Sequence, residues 1–525
     1  MGMDDHEFRL LTIPTPIHPE DPDSPLPETI LIDSFGYLSD RTNATTANGR
    51  RSRTEKKGKR ILVTFWSAAP PRVSCFTVHC PDLKADAYGS IPKVCYTEDG
   101  LALLCITICP ERQYMYAKNI RYFVYQAGTK NTPPPVKLVH SPPDFTFFDH
   151  EVALLRRRDQ DMFFIAVLRR AFVEREYTNG HFHLHLYSSK TKTWSTKLMR
   201  VRDTSRAVAV AGGGVLWSGA YIPATKFQMG KEQFEHPFRV LDLPGYDVVI
   251  GYDLLAQHSP VSFDYENKQV ILTKDKLQQV TIPACNSFAA ATEIPSTELA
   301  SMLAAGDHHR GEHGSVGWVD LRRGILICDL LLLDSNQSLR YVPLPSPLSP
   351  EPLQRYPLSV RNIVVLQGYI KYFEMHNNVR LSSYTGSSPI LEGWIAVTKK
   401  IKISSIGSGS NWEEDCTIRC SDDVPVDNPV YAQMLPNPQE GDDTKPNLKK
   451  ICVGYPALSL HDGDVVYLMH TPVPREGKAC VIALDMRNKT VKGVANFGSG
   501  RPLGYHFTYL ESGISKHLGI LSSTR

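Results

Sequence analysis

The 525-residue sequence lacks most of the short motifs that mark enzymes. It contains no D-[ST]-G triplet, no GxSxG segment, no Walker A loop and no pair of cysteines in CxxC spacing. These absences remove the usual evidence for an aspartic protease, a serine hydrolase, a nucleotide-binding enzyme and a zinc ribbon. We therefore assign no catalytic residue, no metal ligand and no cofactor-binding residue from the sequence.

Long apolar runs and export signals are also missing. The most apolar stretch, Gly324–Leu333, includes Asp329 and falls short of the roughly 18 residues that a spanning helix needs. The N-terminus, MGMDDHEFRLLTIPTP, has neither the basic nor the apolar region of a secretory signal. The net charge of +3 creates no global field that would favour nucleic acid. We expect a soluble protein of the cytoplasm or nucleus with no membrane partner and no nucleic-acid partner.

The eleven cysteines are odd in number and lie mostly inside apolar runs. Cys105 and Cys109, like Cys416 and Cys420, are four residues apart, so a strand would place each pair on one face. Buried reduced thiols are commoner in such positions than metal ligands. The cysteines therefore indicate a reducing compartment and no metal site.

Short alternating or apolar runs, bounded by Gly, Pro, Asn, Asp and Ser, fill most of the chain. Runs rich in Val, Ile, Tyr, Phe and Thr are typical of β-strands. The predicted strands are Ile30–Phe35, Ile61–Trp66, Cys75–His79, Leu101–Ile108, Tyr122–Gln126, Phe163–Leu168, Phe182–Tyr187, Gly324–Leu330, Ile363–Leu366, Val465–Met469 and Val481–Asp485. Helical periodicity is persuasive only at Thr297–Ala305. The sequence therefore predicts a mainly β protein.

One hairpin plan recurs along the chain. An alternating strand ends at a polar residue, a polar turn follows, and a second strand opens near a large apolar residue such as Trp194, Tyr341 or Val491. The copies are FHLHLYSSKTKTWSTKLM, ILICDLLLLDSNQSLRYVPLP, CVIALDMRNKTVKGVANF and, more loosely, YFVYQAGTKNTPPPVKLVH. Hairpins of this kind bury their faces when they pack as blades around an axis. We predict a β-propeller-like repeat of antiparallel hairpins, with two stacked β-sandwiches as the alternative.

Several separated segments resemble the plant domain-of-unknown-function family DUF1618. They are ILIDSFGYLSDRTNATTA, AAPPRVSCFTVHCP, NIRYFVYQAG, GWVDLRRGILICDLLL, LRYVPLP, YPALSLHDGDVVYLM and ALDMRNKTVKGVANFGSGRPLGY. The resemblance covers residues 28–204 and 311–518 and implies no enzyme activity and no catalytic set. It leaves disordered tails at 1–27 and 519–525. Residues 422–450, rich in Pro, Asp and Asn, are predicted to be a disordered loop.

Residues 205–310 interrupt that pattern. Within them, KFQMGKEQFEHPFRVLDLPGYDVVIGYDLLAQHSPVSFDYENKQVILTK resembles the C-terminal half of a retrotransposon-type, retropepsin-like aspartic protease. Such proteases need two carboxylates on D-[ST]-G loops that share one proton. Because the chain contains no such triplet, we predict a structural role for Asp247 and Asp253, which flank Gly251, and no protease activity.

His181, His183 and His185 alternate along a predicted strand, so they would share one face, and histidines spaced in this way can bind zinc. We favour the simpler interpretation that the apolar residues between them face the core. The histidines within 308–313 lie in a Gly-rich stretch, for which we favour a loop.

The run Arg50–Arg60 carries seven basic residues, and its interpretations are a solvated loop, a nuclear-import signal or a phosphate-contacting segment. The run has no interleaved aromatic residues, so it does not favour nucleic-acid binding.

Two functions remain open from the sequence. The first is a non-enzymatic interaction module whose loops bind a partner protein. The second is a hydrolase or metalloenzyme with a site assembled at the mouth of a propeller. The absence of any catalytic motif favours the first, although a fold alone establishes neither.

Overall fold

The structure is a computed structural model of the whole chain. It describes residues 9–13, 27–51, 59–109, 119–129, 132–140, 142, 147, 151–157, 160–173, 176–201, 207–210, 214–217, 220–229, 232–240, 262–264, 269–274, 278–283, 302–304, 314–330, 338–349, 356–380, 390–406, 411–419, 424, 426, 428–435, 448, 451–473, 478–498, 500–501 and 508–518.

The first strands run from the N-terminal region to the middle of the chain. They are β1 (Ile30–Asp33), β2 (Tyr37–Leu38), β3 (Ala47–Arg50), β4 (Arg60–Trp66), β5 (Val73–His79), β6 (Lys93–Glu98), β7 (Leu101–Thr107), β8 (Ile120–Gln126), β9 (Pro135–Leu138), β10 (Val152–Arg157), β11 (Met162–Val173), β12 (Glu176–Ser188), β13 (Thr193–Val201), β14 (Ala207–Val210), β15 (Gly214–Trp217), β16 (Ala220–Met229), β17 (Glu232–Val240), β18 (Ser262–Asp264), β19 (Gln269–Lys274) and β20 (Gln278–Pro283).

The remaining elements include two short α-helices. The strands are β21 (Met302–Ala304), β22 (Ser315–Asp320), β23 (Gly324–Asp329), β24 (Ser338–Pro343), β25 (Arg361–Leu366), β26 (Tyr369–Arg380), β27 (Ile390–Lys402), β28 (Glu413–Ile418), β29 (Gly454–Leu458), β30 (Val465–Val473), β31 (Lys478–Asp485), β32 (Thr490–Gly498) and β33 (Tyr509–Ser512), and the helices are α1 (Pro429–Met434) and α2 (Ser515–Leu518). The mainly β class predicted from the sequence is confirmed.

The strands fall into two units. One comprises Met1–Leu168, Leu184–Lys197 and Leu299–Arg525, and the other comprises Arg169–His183 and Leu198–Glu298. In the second unit, β14 and β15 form a hairpin, β16 and β17 form another, and β18–β20 form a three-stranded antiparallel sheet.

In the first unit, a ten-stranded sheet has the order β33-β1-β5-β4-β3-β9-β8-β7-β6, with β2 paired to β5. The link between β1 and β2 contacts the edge strand β6 at the other side of the sheet, because Phe35 bridges Lys93 and Val94 N donates to Ser34 O over 3.0 Å. The sheet is therefore nearly closed. Its pairing also joins the two ends of the chain, since β33 lies antiparallel to β1.

Four-stranded antiparallel meanders recur after that. The eight-stranded sheet has the order β10-β11-β12-β13-β24-β23-β22-β21, so it combines two meanders, and β25–β28 and β29–β32 form one each. The first strands of successive meanders are neighbours: β6 lies beside β10, β10 beside β21 and β22, β21 beside β25, and β25 beside β29. β29 in turn lies beside β33, the edge strand of the ten-stranded sheet. The recurring hairpins predicted from the sequence are the last two strands of four meanders: β8–β9, β12–β13, β23–β24 and β31–β32.

The described core lies between these sheets in several clusters. One packs Ile32, Phe65, Phe76 and Phe123 inside the ten-stranded sheet. A second joins β25–β28 to β29–β32, and Trp394 within it donates Nε1 to Leu448 O over 2.9 Å. The described cysteines are thiols rather than disulfides. No helix in the described part of the chain is long and apolar enough to cross a membrane.

Three local expectations differ from the structure. The helix predicted at Thr297–Ala305 is wrong where the chain is described, because β21 pairs with Val316–Trp318 and sheet pairing overrides the local propensity. Within 422–450, predicted as a disordered loop, α1 forms, and Val424, Val426, Leu435 and Leu448 lie in the core. In the predicted N-terminal tail, Leu11 is fully buried.

Candidate functional site

A connected group of charged side chains, with one thiol beside it, joins two neighbouring meanders. We call it the Asp415 cluster, and its members are Lys371 on β26, Lys400 on β27, Asp415 and Cys416 on β28, Asp464 before β30, and Arg487 after β31. The cluster therefore lies where β25–β28 meet β29–β32.

A β-bulge determines where the Asp415 side chain points. Cys416 pairs with Thr398 and Glu414 pairs with Lys399, so Asp415 is the extra residue on β28. A bulge of this kind turns a side chain away from the regular alternation of the strand. The carboxylate of Asp415 therefore faces lysines on the two neighbouring strands.

Those two lysines lie directly opposite each other, because Lys371 pairs with Lys400 in the β26–β27 register. Like charges in opposite positions destabilise a sheet unless a counter-charge intervenes. Asp415 supplies it: Oδ2 lies 2.7 Å from Lys371 Nζ, and Oδ1 lies 3.0 Å from Lys400 Nζ. One carboxylate therefore lies between the two ammonium groups and reduces their mutual repulsion.

Arg487 completes the cluster from the neighbouring meander. Its Nε lies 2.7 Å from Asp464 Oδ2, its Nη2 lies 2.9 Å from Asp464 Oδ1, and Nη2 also lies 3.5 Å from Asp415 Oδ1. Lys371 Nζ additionally donates to the carbonyl oxygen of Gly463. Paired contacts between a guanidinium and a carboxylate fix orientation as well as charge. The cluster therefore links the two meanders.

The ionisation of the cluster follows from these contacts. Burial alone would raise the pKa of Asp415, but hydrogen bonds from Lys371 and Lys400, together with their charges, lower it below its ordinary value. The hydrogen bond to Asp415 raises the pKa of Lys400. Burial, followed by the charge of Asp415, raises the pKa of the Cys416 thiol. The carboxylate is therefore ionised at neutral pH, and the thiol is protonated.

The same cluster contains the single group of three potential metal ligands within the described residues: Asp415, Cys416 and Asp464, whose ligand atoms lie within 4.8 Å of one another. A metal ion would need the thiolate and would compete with three cations already placed on the carboxylates. The residues therefore do not fit a metal ion. Their arrangement stabilises an interface between sheets.

A second titratable group lies on β33. The half-buried carboxylate of Glu511 accepts hydrogen bonds from Leu460 N over 2.8 Å and from Ser459 Oγ over 3.2 Å. Burial raises the pKa of Glu511 to about 8, although these hydrogen bonds and one from Thr29 act in the opposite direction. Such a carboxyl exchanges protons near neutral pH, which is the range that acid–base chemistry requires.

The histidines predicted on β12 are half-buried, and His185 Nδ1 lies 2.8 Å from Thr196 Oγ1. Of the apolar residues that alternate with them, Leu184 is buried, whereas Phe182 and Leu186 are half-buried like the histidines. The described chain does not bring the three histidines together as metal ligands. Asp247, Gly251, Asp253 and the histidines within 308–313 lie outside the described residues.

Sequence reasoning identified neither the Asp415 cluster nor Glu511. Lys371 and Asp464 are distant in sequence, and the bulge at Asp415 breaks the alternation that predicts which face a side chain occupies. The one usable signal is the acidic residue in the motif YPALSLHDGDVVYLM, whose last acidic position is Asp464.

A family model matches a part of the chain that includes most of the Asp415 cluster. Residues 318–467 match the family model described as "Protein of unknown function (DUF1618)", which supports the resemblance found in the sequence. The match spans β23–β29 and contains every member of the Asp415 cluster except Arg487. It does not extend to residues 205–310, and no curated protein matches the chain.

Proposed function

We propose that the protein is a non-enzymatic interaction module built on a β-propeller, and that loops at one rim bind a partner protein. The observation that carries the proposal is that cations of the Asp415 cluster already contact the carboxylates of Asp415 and Asp464. Its carboxylates contact Lys371, Lys400 and Arg487, so they are not available to activate water or hold a metal ion. We infer that a cluster of this kind stabilises the fold and takes no part in a reaction.

The order of the strands supports the propeller. Meanders of four antiparallel strands follow one another, their first strands are neighbours from β6 through β10, β21 and β25 to β29, and β29 lies beside β33. The pairing of β33 with β1 joins the last part of the chain to the first. Radial repetition leaves only short, protected strand edges and leaves the loops at both rims to bind other molecules.

The test is to identify a partner and then measure its binding directly. Proteins captured on the full-length chain from native tissue are identified by mass spectrometry, and each one is purified and titrated against the chain by calorimetry. We expect at least one protein to bind saturably with 1:1 stoichiometry. A second titration uses Asp415→Asn, which changes the cluster but no rim loop, and we expect the same affinity.

An enzyme remains the competing function, because the pKa of Glu511 lies near neutrality. The discriminating variant is Glu511→Gln, which preserves the shape of the side chain and cannot transfer a proton. Turnover by the full-length chain in a panel of ester, peptide and glycoside substrates, lost in Glu511→Gln and retained in Glu413→Gln, would replace the interaction module with a hydrolase.

We also propose that residues 205–310 derive from a retroelement protease and have no proteolytic activity. The absence of D-[ST]-G from the whole chain supports this, since dimerisation cannot restore a loop that neither copy carries. We expect no pepstatin-sensitive cleavage of casein at mildly acidic pH. Cleavage that pepstatin inhibits would contradict this assignment.

A further inference from the structure

The N-terminal residues 9–13 form a short helical turn docked against the ten-stranded sheet. Leu11 is fully buried and packs in the same core cluster as Ile30, Ile32 and Phe76. Thr12 Oγ1 donates to Arg9 O over 3.1 Å, which closes the turn from within. The Leu11 side chain therefore anchors this segment to the core.

Arg501 supplies the polar part of the same docking site, and its exposed fraction is 0%. Its Nε donates to Leu10 O over 3.3 Å, Nη1 donates to Phe35 O over 3.1 Å, and Nη2 donates to Gly36 O over 2.7 Å. Its guanidinium also lies 4.1 Å from the centre of the Tyr37 ring. The buried guanidinium of Arg501 thus donates to a backbone carbonyl of the segment, while its contacts with Phe35, Gly36 and Tyr37 fix its own position.

The residue before Arg501 leaves room for the segment. Gly500 has a φ of +66°, and a Cβ built on it would lie 3.1 Å from Ile13 Cγ2. Glycine is the residue that adopts this backbone conformation without strain and allows such a close approach. The wall at 500–501 therefore accommodates an apolar side chain two residues after the buried leucine.

We propose that Phe35–Tyr37, Gly500–Arg501 and the core around Leu11 form a peptide-binding groove that residues 9–13 occupy in cis. The ligand that fits it is a short segment with a buried leucine, an isoleucine two residues later, and a main-chain carbonyl presented to Arg501. The inference stands on these contacts alone and is independent of the interaction partner proposed above.

The described contacts that dock the segment are few compared with those of a strand inside a sheet: Leu11 is buried, Ile13 lies close to Gly500, and Leu10 O accepts from Arg501. Segments with few buried contacts open locally, well before global unfolding. When residues 9–13 leave, the groove retains its wall, because Arg501 still donates to Phe35 O and Gly36 O. A vacated groove can therefore bind the same sequence presented in trans.

The test uses the full-length chain with Leu11→Asp, which places a charge in the apolar pocket and releases the segment. A fluorescein-labelled peptide of residues 6–16 is titrated with this variant and with the unchanged protein, and anisotropy is recorded. We expect saturable binding to the variant and binding weaker by about tenfold or more to the unchanged protein, because the tethered segment competes at a high effective concentration. The same peptide carrying Leu11→Asp is the control and should not bind.

Hydrogen exchange of the unchanged full-length protein provides the second measurement, which does not depend on whether the variant folds. We expect the amides of residues 10–13 to exchange much faster than those of β4 and β5. Equal exchange of the segment and these strands would show that residues 9–13 are an integral part of the core. That result, or a peptide that fails to bind a folded Leu11→Asp variant, overturns the proposal.

Discussion

Replacing Glu511 with glutamine should stabilise the protein, and the gain should grow with pH. Glu511 lies on β33, half-buried, where Oε2 accepts from Leu460 N and Oε1 accepts from Ser459 Oγ. Burial raises its pKa from 4.5 to about 8. A glutamine retains an acceptor oxygen for one of these donors and carries no charge that burial would penalise.

The direction of the pH dependence follows from the two pKa values. Below pH 4.5 the carboxyl is protonated in both the folded and unfolded states, so it adds no pH dependence. Between 4.5 and about 8 the unfolded chain ionises while the folded protein holds the proton, so the free energy of unfolding falls as pH rises. Above about 8 the loss is complete.

The same two pKa values set an upper limit on the change in the free energy of unfolding. At about 1.4 kcal/mol per pH unit, a pKa raised from 4.5 to about 8 corresponds to a loss of at most about 5 kcal/mol. Glu511 keeps some contact with water, which screens its charge, so we expect Glu511→Gln to gain roughly 2 kcal/mol at alkaline pH. At acidic pH we expect the two proteins to be equally stable.

Urea unfolding followed by tryptophan fluorescence, at about pH 4, 6 and 9, measures this difference. Glu413→Gln is the matched control, because Glu413 is an exposed carboxylate on β28 and its loss should change stability little at any pH. A difference between Glu511→Gln and the unchanged protein that stays constant with pH would refute the reasoning. So would a variant less stable than the unchanged protein at pH 9.

Three further changes test the packing of the sheets. Arg361→Met should lower the free energy of unfolding by about 3–5 kcal/mol, measured in urea, because it leaves the buried carboxylate of Glu374 without its cation. Glu374 Oε1 lies 2.6 Å from Arg361 Nη2, so adding Glu374→Met should recover most of this loss. Replacing 207–298 with a Gly/Ser linker should leave the melting temperature unchanged, whereas replacing 207–310 should lower it by removing β21, as calorimetry would show. Trp412→Phe should lose about 1 kcal/mol of stability, also by urea unfolding, since Pro343 O loses its donor.

The sequence predicted strands that are short apolar runs rich in residues with high β-propensity. Ile61–Trp66 and Val481–Asp485 lie within β4 and β31, where most of their residues are buried, so composition indicated these strands although burial does not alternate along them. The long strands β26 and β27 were not predicted. On β26, Lys371 and Glu374 are both buried, so charged residues interrupt the pattern that would have indicated a strand.

The charged contacts could not be predicted from the sequence for a related reason. Arg361 and Glu374 lie opposite each other in the β25–β26 register, and Arg361 Nη1 also donates to Leu321 O over 2.7 Å from a different sheet. Such pairs depend on the register between strands and on the packing between sheets, which no local spacing encodes. Short first strands such as β29, interrupted by Pro456, were missed because proline is typical of sequences outside sheets.

Two tryptophans on or beside outer strands contact the preceding meander, and one of them, Trp194, is the large residue of a recurring hairpin. Trp194 on β13 donates Nε1 to His140 O over 2.7 Å, just after β9, the last strand of the preceding meander. Trp412, next to β28, donates Nε1 to Pro343 O over 2.8 Å at the end of β24, again the last strand of the preceding meander. In these two meanders an indole therefore joins the outer strand to the meander before it, whereas the Tyr341 hydroxyl donates to Arg323 O within its own meander. Because each of these tryptophan hydrogen bonds joins two meanders, we expect a meander to be stable only when its neighbours are present. Segments 28–204 and 311–518 should therefore fold as one cooperative unit rather than separately.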